Sequence, residues 1–592
     1  MAGDGVRQPD GDIGRSVAAT IRASAANALR ADGSAPFSCG RWVRPSRRAE
    51  RNTEGTAMTT STGEAMRMKG FGLVLALIAL FVSPSLAAAG QARRHFDLGT
   101  ATVADINAAI DGGALTSERL VALSLARIRA YEPNLHAVIR LNPRALQEAR
   151  ALDAERRSKG RRSPLHGIPV LLKDNIDTHD LPTSLGFYGL RNAVPYADAA
   201  VVARLRQAGA IVLAKVNLSE LASGPTLSSL GGQTHNPHNL AYGPAGSSSG
   251  TAVGVAAGYA PVGIATDTTG SARWPAATNG VVGLRPTLGA ISYAGIQPSA
   301  PTLDAVGPIT RSVADAALVL DVLEGAGPPP VANEPVRALA PDALRGARIG
   351  FPRRDFSGDD PQVDAAMNAA IDQLRNAGAT VVEVELPFWL PRLSGDLQSI
   401  IVRTEAAPSL DAYLASSFPP GSPSSHAQIL AMSEAFAASP PAGATPNPGR
   451  LDGYRDEAHA LAPTDAYYLA ARDQGRQFVA ASLQAVLAQH RLAAIVYPTQ
   501  TTRINRIGEP AQRNARGLFG NFGGVLASLA GWPELTVPAG FTADGLPVGV
   551  SFLGPASSEH TLLGYGLAFE RQTRALRQPA TTPPLPGERF DY

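Results

Sequence analysis

The sequence predicts an α/β fold, because amphipathic helical patterns alternate along the chain with short apolar runs of strand length. The helix predicted at Ser117–Tyr131 repeats leucine and isoleucine at helical spacing, carries Glu118 in its first turn and ends before Pro133. The run Ile168–Leu172 is short and apolar, as is typical of a buried strand between helices. The same alternation continues through the second half of the chain.

The other elements follow from the same signals of periodicity, Gly and Pro boundaries, and apolar runs. Further helices are predicted at Thr102–Ile110, Ala145–Arg157, Ala200–Gln207, Thr251–Ala257 and Val363–Asn376. Further strands are predicted at Ile211–Ala214, Ala347–Phe351, Thr380–Leu386, Ala493–Tyr497, Leu535–Val537 and Val548–Leu553. Residues 415–463 are rich in Pro, Ser and Ala, so we expect an irregular surface insertion there.

Composition narrows the class of protein. The 592 residues are 44% hydrophobic and 17% charged, which is ordinary for a globular chain with a sizeable core. The net charge is only +3 and no face combines basic and aromatic residues, so no nucleic-acid partner is expected. The single cysteine, Cys39, lies near the N-terminus, which excludes a disulfide framework and a cysteine nucleophile further along.

The N-terminal part carries two separate predictions. Residues 1–65 are rich in Ala, Gly, Ser and Arg without periodicity, and we interpret them as disordered or as an upstream mis-called start. Residues 66–89 combine a basic start, a short apolar run and an Ala-rich end, the pattern of a signal peptide. We therefore expect a periplasmic or secreted protein without a stable membrane anchor after cleavage, and one domain over residues 93–580.

The chain contains very little lysine, and this makes the retained lysines informative. Only Lys69, Lys159, Lys173 and Lys215 occur among 53 basic residues. Arginine stays protonated in proteins, whereas a buried lysine can lose its proton and act as a base. Lys173 follows an apolar run and precedes two serine-containing segments, Gly246–Gly250 and Thr266–Ser271. This order suggests acyl transfer by a serine and a lysine.

Such chemistry needs a nucleophile, a base and an oxyanion hole. Ser271 is the predicted nucleophile, and Lys173 is the predicted base, which must be neutral to work. Ser247 would relay the proton between them, and its glycine-rich loop permits unusual backbone geometry, including a cis peptide bond. Successive N–H groups from Thr268 through Ser271, including those of Thr269 and Gly270, could bind the oxyanion. No metal or organic cofactor is required.

Longer motifs carry a family resemblance. They are Gly167–Asp177, Leu213–Ala222, Gly246–Thr251, Thr266–Pro275, Gly280–Gly289, Asp304–Arg311 and Pro533–Gly554. Together they make the chain resemble the amidase signature family over roughly residues 96 to 575, most closely the bacterial peptide amidases. The resemblance implies one α/β domain with a large mixed β-sheet covered by helices on both faces. It also implies a Ser-cisSer-Lys triad at Ser271, Ser247 and Lys173.

The implied activity is hydrolysis of linear carboxamides through an acyl-enzyme, with peptide C-terminal amides as the first expected substrates. The spacing from Ser247 to Ser271 fits the family and favours Ser247 over its serine neighbours as the bridging residue. The chain departs from the family at Thr269, where glycine is common, and at Ala245. Substrate specificity is expected to reside in the variable stretch from Phe388 to Gln474.

Several alternatives remain open on the sequence. A transamidation subunit of the same family, acting on charged tRNA with partner proteins, would share the motifs. A serine esterase could use Ser248 in a Gly-x-Ser-x-Gly elbow, and a binding protein could share the fold. The pair His235 and His238 has metal-like spacing but is interpreted as a structural loop. Lys215 is interpreted as structural.

Overall fold

The computed structural model describes residues 94–325, 339–510, 513–514 and 516–592. The predicted N-terminal extension at 1–65 and the predicted signal peptide at 66–89 lie outside the described residues. Within the described ranges, no helix combines the length and apolar character needed to cross a bilayer.

A large mixed sheet organises the described chain. It has 11 strands, which we number along the chain: β1 Val138–Leu141, β2 Pro169–Lys173, β3 Ile211–Val216, β4 Val262–Asp267, β5 Val282–Arg285, β6 Ala305–Thr310, β7 Arg348–Phe351, β8 Thr380–Glu383, β9 Ala494–Pro498, β10 Glu534–Phe541 and β11 Pro547–Leu553. Their order across the sheet is β8-β7-β9-β11-β10-β5-β6-β4-β2-β3-β1. Strands β4, β2 and β3 run parallel, whereas β6 is antiparallel to β4. The predicted α/β fold with a large mixed sheet is confirmed.

Helices cover both faces of this sheet. They are α1 Val103–Asp111, α2 Ser117–Leu135, α3 Ala145–Lys159, α4 Ala200–Gln207, α5 Ser249–Ala256, α6 Arg273–Thr278, α7 Val313–Glu324, α8 Arg353–Phe356, α9 Pro361–Asn376, α10 Leu390–Ser417, α11 His426–Ala438, α12 Pro448–Ala458, α13 Ala466–Leu469, α14 Arg476–His490, α15 Phe522–Ala530 and α16 Glu559–Thr573. Val170 and Leu172 of β2 belong to one hydrophobic cluster and Leu171 to another. Since neighbouring strand residues point to opposite faces, both faces are packed.

Most predicted elements lie within one or two residues of the observed ones, with two informative differences. The strand predicted to end at Leu172 includes Lys173, so this lysine belongs to the buried strand itself. Helix α2 continues through Pro133 to Leu135, and its end is capped by His136 in the left-handed conformation.

The prediction of an irregular insertion at 415–463 is wrong. Most of this segment is helical, comprising the end of α10 and helices α11 and α12. The composition was misleading because Pro448 occupies the first turn of α12, where its missing N–H costs nothing, and Ser425 caps α11. Leucine, tyrosine and phenylalanine side chains of α10 to α12 pack with Phe187 and Leu190 in a third hydrophobic cluster.

Candidate active site

Lys173, at the end of β2, is fully buried, and within the described residues its side-chain amine forms hydrogen bonds only to hydroxyl groups. Its Nζ lies 2.7 Å from Ser247 Oγ and 2.7 Å from Thr266 Oγ1. Burial lowers the pKa of Lys173 to about 7, although the negative charges of Asp267 and Asp304 act in the opposite direction. The structure therefore favours a lysine whose neutral form is well populated near pH 7 and predominates above it.

Thr266 connects this amine to a second polar side chain. Asn175 follows β2 and donates from Nδ2 to Thr266 Oγ1 at 3.2 Å. Both side chains are buried, so Thr266 is held from both sides away from water. An ammonium group has three N–H bonds to satisfy, and within the described residues Lys173 forms hydrogen bonds only to these two hydroxyl oxygens. A neutral amine fits this surrounding better than a charged one.

The loop before α5 presents Ser247. The peptide bond between Gly246 and Ser247 is cis, and Ala245 adopts a positive φ of 60°. The Ser247 carbonyl accepts from the N–H of Ser219 at 3.0 Å. A Cβ at Gly246 would lie 2.6 Å from Ser219 Oγ, so any larger residue there would push against this neighbour. Glycine at this position therefore leaves room for the Ser219 side chain where the two segments approach.

Ser271 lies in the turn between β4 and α6. Its carbonyl accepts from the N–H of Ser248 at 3.1 Å, so the two serine loops touch through their backbones. The side chain is partly exposed, whereas Ser247 is only 5% exposed. The hydrogen bonds of the described residues do not join the Ser271 hydroxyl to Ser247 or Lys173. Such contacts are often long without substrate and shorten when the substrate binds.

Asp267 fixes the turn that carries Ser271. Its carboxylate accepts from the N–H groups of Gly270 at 2.9 Å and Ala272 at 3.0 Å. It also forms buried ion pairs with Arg273 at 2.7 Å and Arg285 at 3.2 Å. Although burial opposes ionisation, these two guanidinium groups hold the pKa of Asp267 below its ordinary value. The carboxylate therefore stays charged and anchors the turn.

The predicted oxyanion residues do not all have the same surroundings. The Gly270 N–H is directed to Asp267, so it is engaged within the protein. Thr268 is buried, and its hydroxyl donates to Asp304 Oδ1 at 2.7 Å. Thr269 is partly exposed, on the same turn. Among the hydrogen bonds of the described residues, none engages the backbone N–H groups of Thr268, Thr269 or Ser271.

Four polar residues of this site had no assigned role on the sequence alone: Asn175, Thr266, Asp267 and Asp304. Thr266 and Asp267 lay within the quoted serine segment, and Asn175 followed the candidate lysine. Asp304 is the first residue of the motif Asp304–Arg311, and the sequence did not indicate which residue it contacts. Contacts between residues more than 30 positions apart assign Asn175, Thr266 and Asp304, whereas Asp267 is assigned by contacts within 18 positions. A single sequence does not show such contacts.

The competing sites do not assemble in the described residues. Ser248 Oγ donates to the carbonyl of Thr266 at 3.1 Å, and no hydrogen bond in this part of the chain links it to a histidine. His235 and His238 each contact a backbone carbonyl, in agreement with a structural loop. The His179, Asp180 and Asp198 side chains come together, but the two carboxylates are already paired with arginine.

Lys215 has the structural surroundings predicted for it. It forms a buried ion pair with Asp174 at 3.0 Å and donates to Thr183 Oγ1 at 2.7 Å. All three side chains are fully buried. The lysine thus ties β3 to the segment after β2.

Comparison with known proteins identifies the family. The family model described as Amidase matches residues 119–563, so the chain belongs to the amidase signature family of C–N hydrolases and amidotransferases. The fold of solved family members agrees with the sheet and helices described above.

Two kinds of relative stand out. The chain is similar to a native peptide amidase from Stenotrophomonas maltophilia, with 39% identity and a TM-score of 0.71, covering 81% of this chain and 99% of that one. It is also 38% identical to a glutamyl-tRNA(Gln) amidotransferase subunit from Roseiflexus sp., covering 80% of this chain and 96% of the relative. The solved structure of the corresponding Thermotoga maritima protein is 26% identical, with a TM-score of 0.61, covering 82% of this chain and 98% of that one.

Proposed function

We propose that this protein hydrolyses linear carboxamides through an acyl-enzyme on Ser271, with Ser247 and Lys173 transferring the proton. The observation that carries the proposal is the 2.7 Å contact between the buried Lys173 Nζ and Ser247 Oγ. A neutral amine next to a serine hydroxyl is what a lysine base requires. The backbone contact between the Ser247 and Ser271 loops supports a nucleophile close to this pair.

The reaction follows from these positions. Ser271 Oγ forms a bond to the amide carbon while its proton passes to Ser247, and the Ser247 proton passes to Lys173. The N–H groups of Thr268, Thr269 and Ser271 donate to the negatively charged oxygen of the tetrahedral intermediate, whereas that of Gly270 is engaged by Asp267. The C–N bond then breaks, and the leaving nitrogen takes a proton back through Ser247. Water attacks the ester and releases the carboxylic acid.

Peptide C-terminal amides are the proposed first substrate class. The support is the similarity to a peptide amidase over nearly its whole length, at 39% identity. Helices α10 to α12 fall within the stretch from Phe388 to Gln474, where we place specificity. Export to the periplasm or outside remains a proposal based on the sequence of residues 66–89.

A transamidation subunit is the second candidate, because relatives with 35–38% identity are named as subunits of glutamyl-tRNA(Gln) amidotransferase. Such an enzyme would pass ammonia to a partner protein instead of releasing it into solution. The two candidates share the proposed triad and differ in the amide that supplies the ammonia, a peptide amide or glutamine, and in where the ammonia goes. They can therefore be separated with the same protein.

The test is ammonia release by the full chain from a panel of amidated peptides, simple amides and glutamine. The comparison variants are Ser271→Ala, Ser247→Ala and Lys173→Ala, each checked for folding by circular dichroism. We expect release from peptide amides that disappears in Ser271→Ala and collapses in the other two. Release that persists in Ser271→Ala would refute the mechanism, and release from glutamine alone would favour the amidotransferase candidate.

A further inference from the structure

Asp304 is a buried carboxylate that the proposed mechanism leaves without a role. It immediately precedes β6 and is 5% exposed. Its Oδ1 accepts from the Thr268 hydroxyl at 2.7 Å. Its Oδ2 accepts from the N–H groups of Ser299 at 2.8 Å and Ala300 at 2.9 Å. Three donors fix both oxygens, so this side chain has a defined position.

Sheet pairing brings Asp304 to the nucleophile turn. Ala305 of β6 is paired with Asp267 of β4. In an antiparallel pair the next residue on one strand faces the preceding residue on the other, which brings Asp304 opposite Thr268. The Thr268–Asp304 hydrogen bond therefore forms where the turn leaves the sheet. This side-chain hydrogen bond follows directly on the last backbone pairing between β4 and β6.

Two carboxylates hold different parts of this turn. Asp267 accepts from the N–H groups of Gly270 and Ala272, which fixes the part after the turn's midpoint. Asp304 accepts from the side chain of Thr268, which fixes the part before it. The N–H groups of Thr268 and Thr269 lie between these anchors. Their direction thus depends on the Thr268 hydroxyl as well as on Asp267.

We propose that Asp304 is a positioning residue for the oxyanion hole, which it orients by accepting the hydroxyl proton of Thr268. The proposal rests on the proposed function, since it gives the N–H groups of this turn their task. A displaced donor reduces the stabilisation of the transition state much more than the binding of the substrate. Loss of the hydrogen bond should therefore lower kcat and leave KM nearly unchanged.

The test compares Thr268→Val with Thr268→Ser in the full chain. Valine keeps the branched shape and the backbone N–H but removes the hydroxyl, whereas serine keeps the donor. With the best amide of the panel, at a pH of about 8.5, we expect Thr268→Val to lower kcat about 10- to 100-fold, with KM within about threefold. Thr268→Ser should retain most of the activity and the thermal unfolding midpoint of the parent. Thr268→Val leaves the buried Asp304 carboxylate with one donor fewer, so its unfolding midpoint should fall somewhat while the enzyme stays folded at the assay temperature.

A second pair makes the result specific to Asp304. Asp304→Asn should lower kcat as well, and the double variant with Thr268→Val should lose little more than the worse single variant. If Asp304→Asn does not fold, the Thr268 pair decides alone. A Thr268→Val enzyme with kcat within about twofold of the parent would overturn the inference, as would an equal loss in Thr268→Ser. Failure of the proposed function looks different, because Ser271→Ala would then retain activity.

Discussion

Two lysines are buried in the same sheet, on neighbouring strands, and their surroundings differ in kind. Lys173 pairs with Val216, and Lys215 pairs with Leu172. Since paired residues share a face and consecutive residues alternate, the two lysines point to opposite faces. On one face Lys173 meets two hydroxyl groups, and on the other Lys215 meets the carboxylate of Asp174.

The difference shows that burial alone does not decide what a lysine does. Both side chains are fully buried. A carboxylate partner compensates the lost hydration of an ammonium group, and the ion pair of Lys215 with Asp174 connects two segments. Hydroxyl partners compensate it poorly, and the pKa of Lys173 falls to about 7. The same residue type is therefore a structural cation at one place and a proposed base at the other.

The largest expected effect is on activity at Lys173. Lys173→Met should reduce kcat for amide hydrolysis by about 10³-fold or more, because no other base among the described residues is in contact with Ser247. Replacing a neutral buried amine by an apolar chain should change the unfolding free energy by only about 1 kcal/mol. Ammonia release and urea unfolding measure the two quantities. A fully active Lys173→Met enzyme would remove the distinction between the two lysines.

The matched change at Lys215 should act on stability instead. Lys215→Met leaves Asp174 buried without its cation, which we expect to cost about 3–5 kcal/mol of unfolding free energy. Adding Asp174→Asn removes the uncompensated charge and should recover part of that loss. Urea unfolding of the two variants tests this. A single variant as stable as the parent would mean that the ion pair does not hold these strands together.

The pH dependence of activity tests the state of Lys173 in the native enzyme. Lys173 acts as a base only when neutral, so kcat/KM should fall about tenfold per pH unit below its pKa of about 7 and level off above it. A lysine with an ordinary pKa near 10.4 would place this limb about three units higher. The pH–rate profile of ammonia release on a neutral peptide amide is measured for the parent and for Thr268→Val, because burial raises the pKa of Asp304 to about 7 as well and this variant removes the contact of Asp304 with the turn. A limb near pH 10 would contradict a desolvated base.

The smallest expected effect concerns the hydroxyl partner of Lys215. Thr183→Val removes the oxygen that accepts from Lys215 at 2.7 Å and should cost about 1–2 kcal/mol of stability, with kcat unchanged.

The counterpart of Thr183→Val is Ser247→Ala, which removes the hydroxyl partner of Lys173 and should abolish most of the activity. Thermal unfolding and ammonia release are measured for both. Comparable activity losses in the two variants would show that the hydroxyl next to Lys173 has no special role.

The fold class and the central contact of the candidate site could be predicted from short motifs of the sequence. The fold class followed from the alternation of helices and apolar strands, and the scarcity of lysine directed attention to Lys173. Its contact with Ser247, 74 positions away, was expected from the family resemblance and is present in the structure. The roles of Asn175 and Asp304 were not expected, since they depend on partners that only the fold brings near.

Sequence reasoning failed at helices α11 and α12, for a physical reason. Proline and serine in residues 415–463 were interpreted as signs of irregular structure. Both residue types also begin helices, because proline lacks only an N–H that the first turn leaves unpaired and serine accepts a hydrogen bond from that turn. Pro448 and Ser425 occupy those positions. Position within a helix, which composition does not give, decides between the two interpretations.

The proposal that Ser271 is the nucleophile is tested most directly by covalent labelling with a fluorophosphonate, which reacts with an activated serine. The residue that is labelled is the quantity measured. The full chain is labelled, digested and mapped by tandem mass spectrometry, with Ser271→Ala and Lys173→Met labelled in parallel. We expect one modified residue, Ser271, and strongly reduced labelling in both variants. Modification of Ser248, or undiminished labelling of Ser271→Ala, would contradict it.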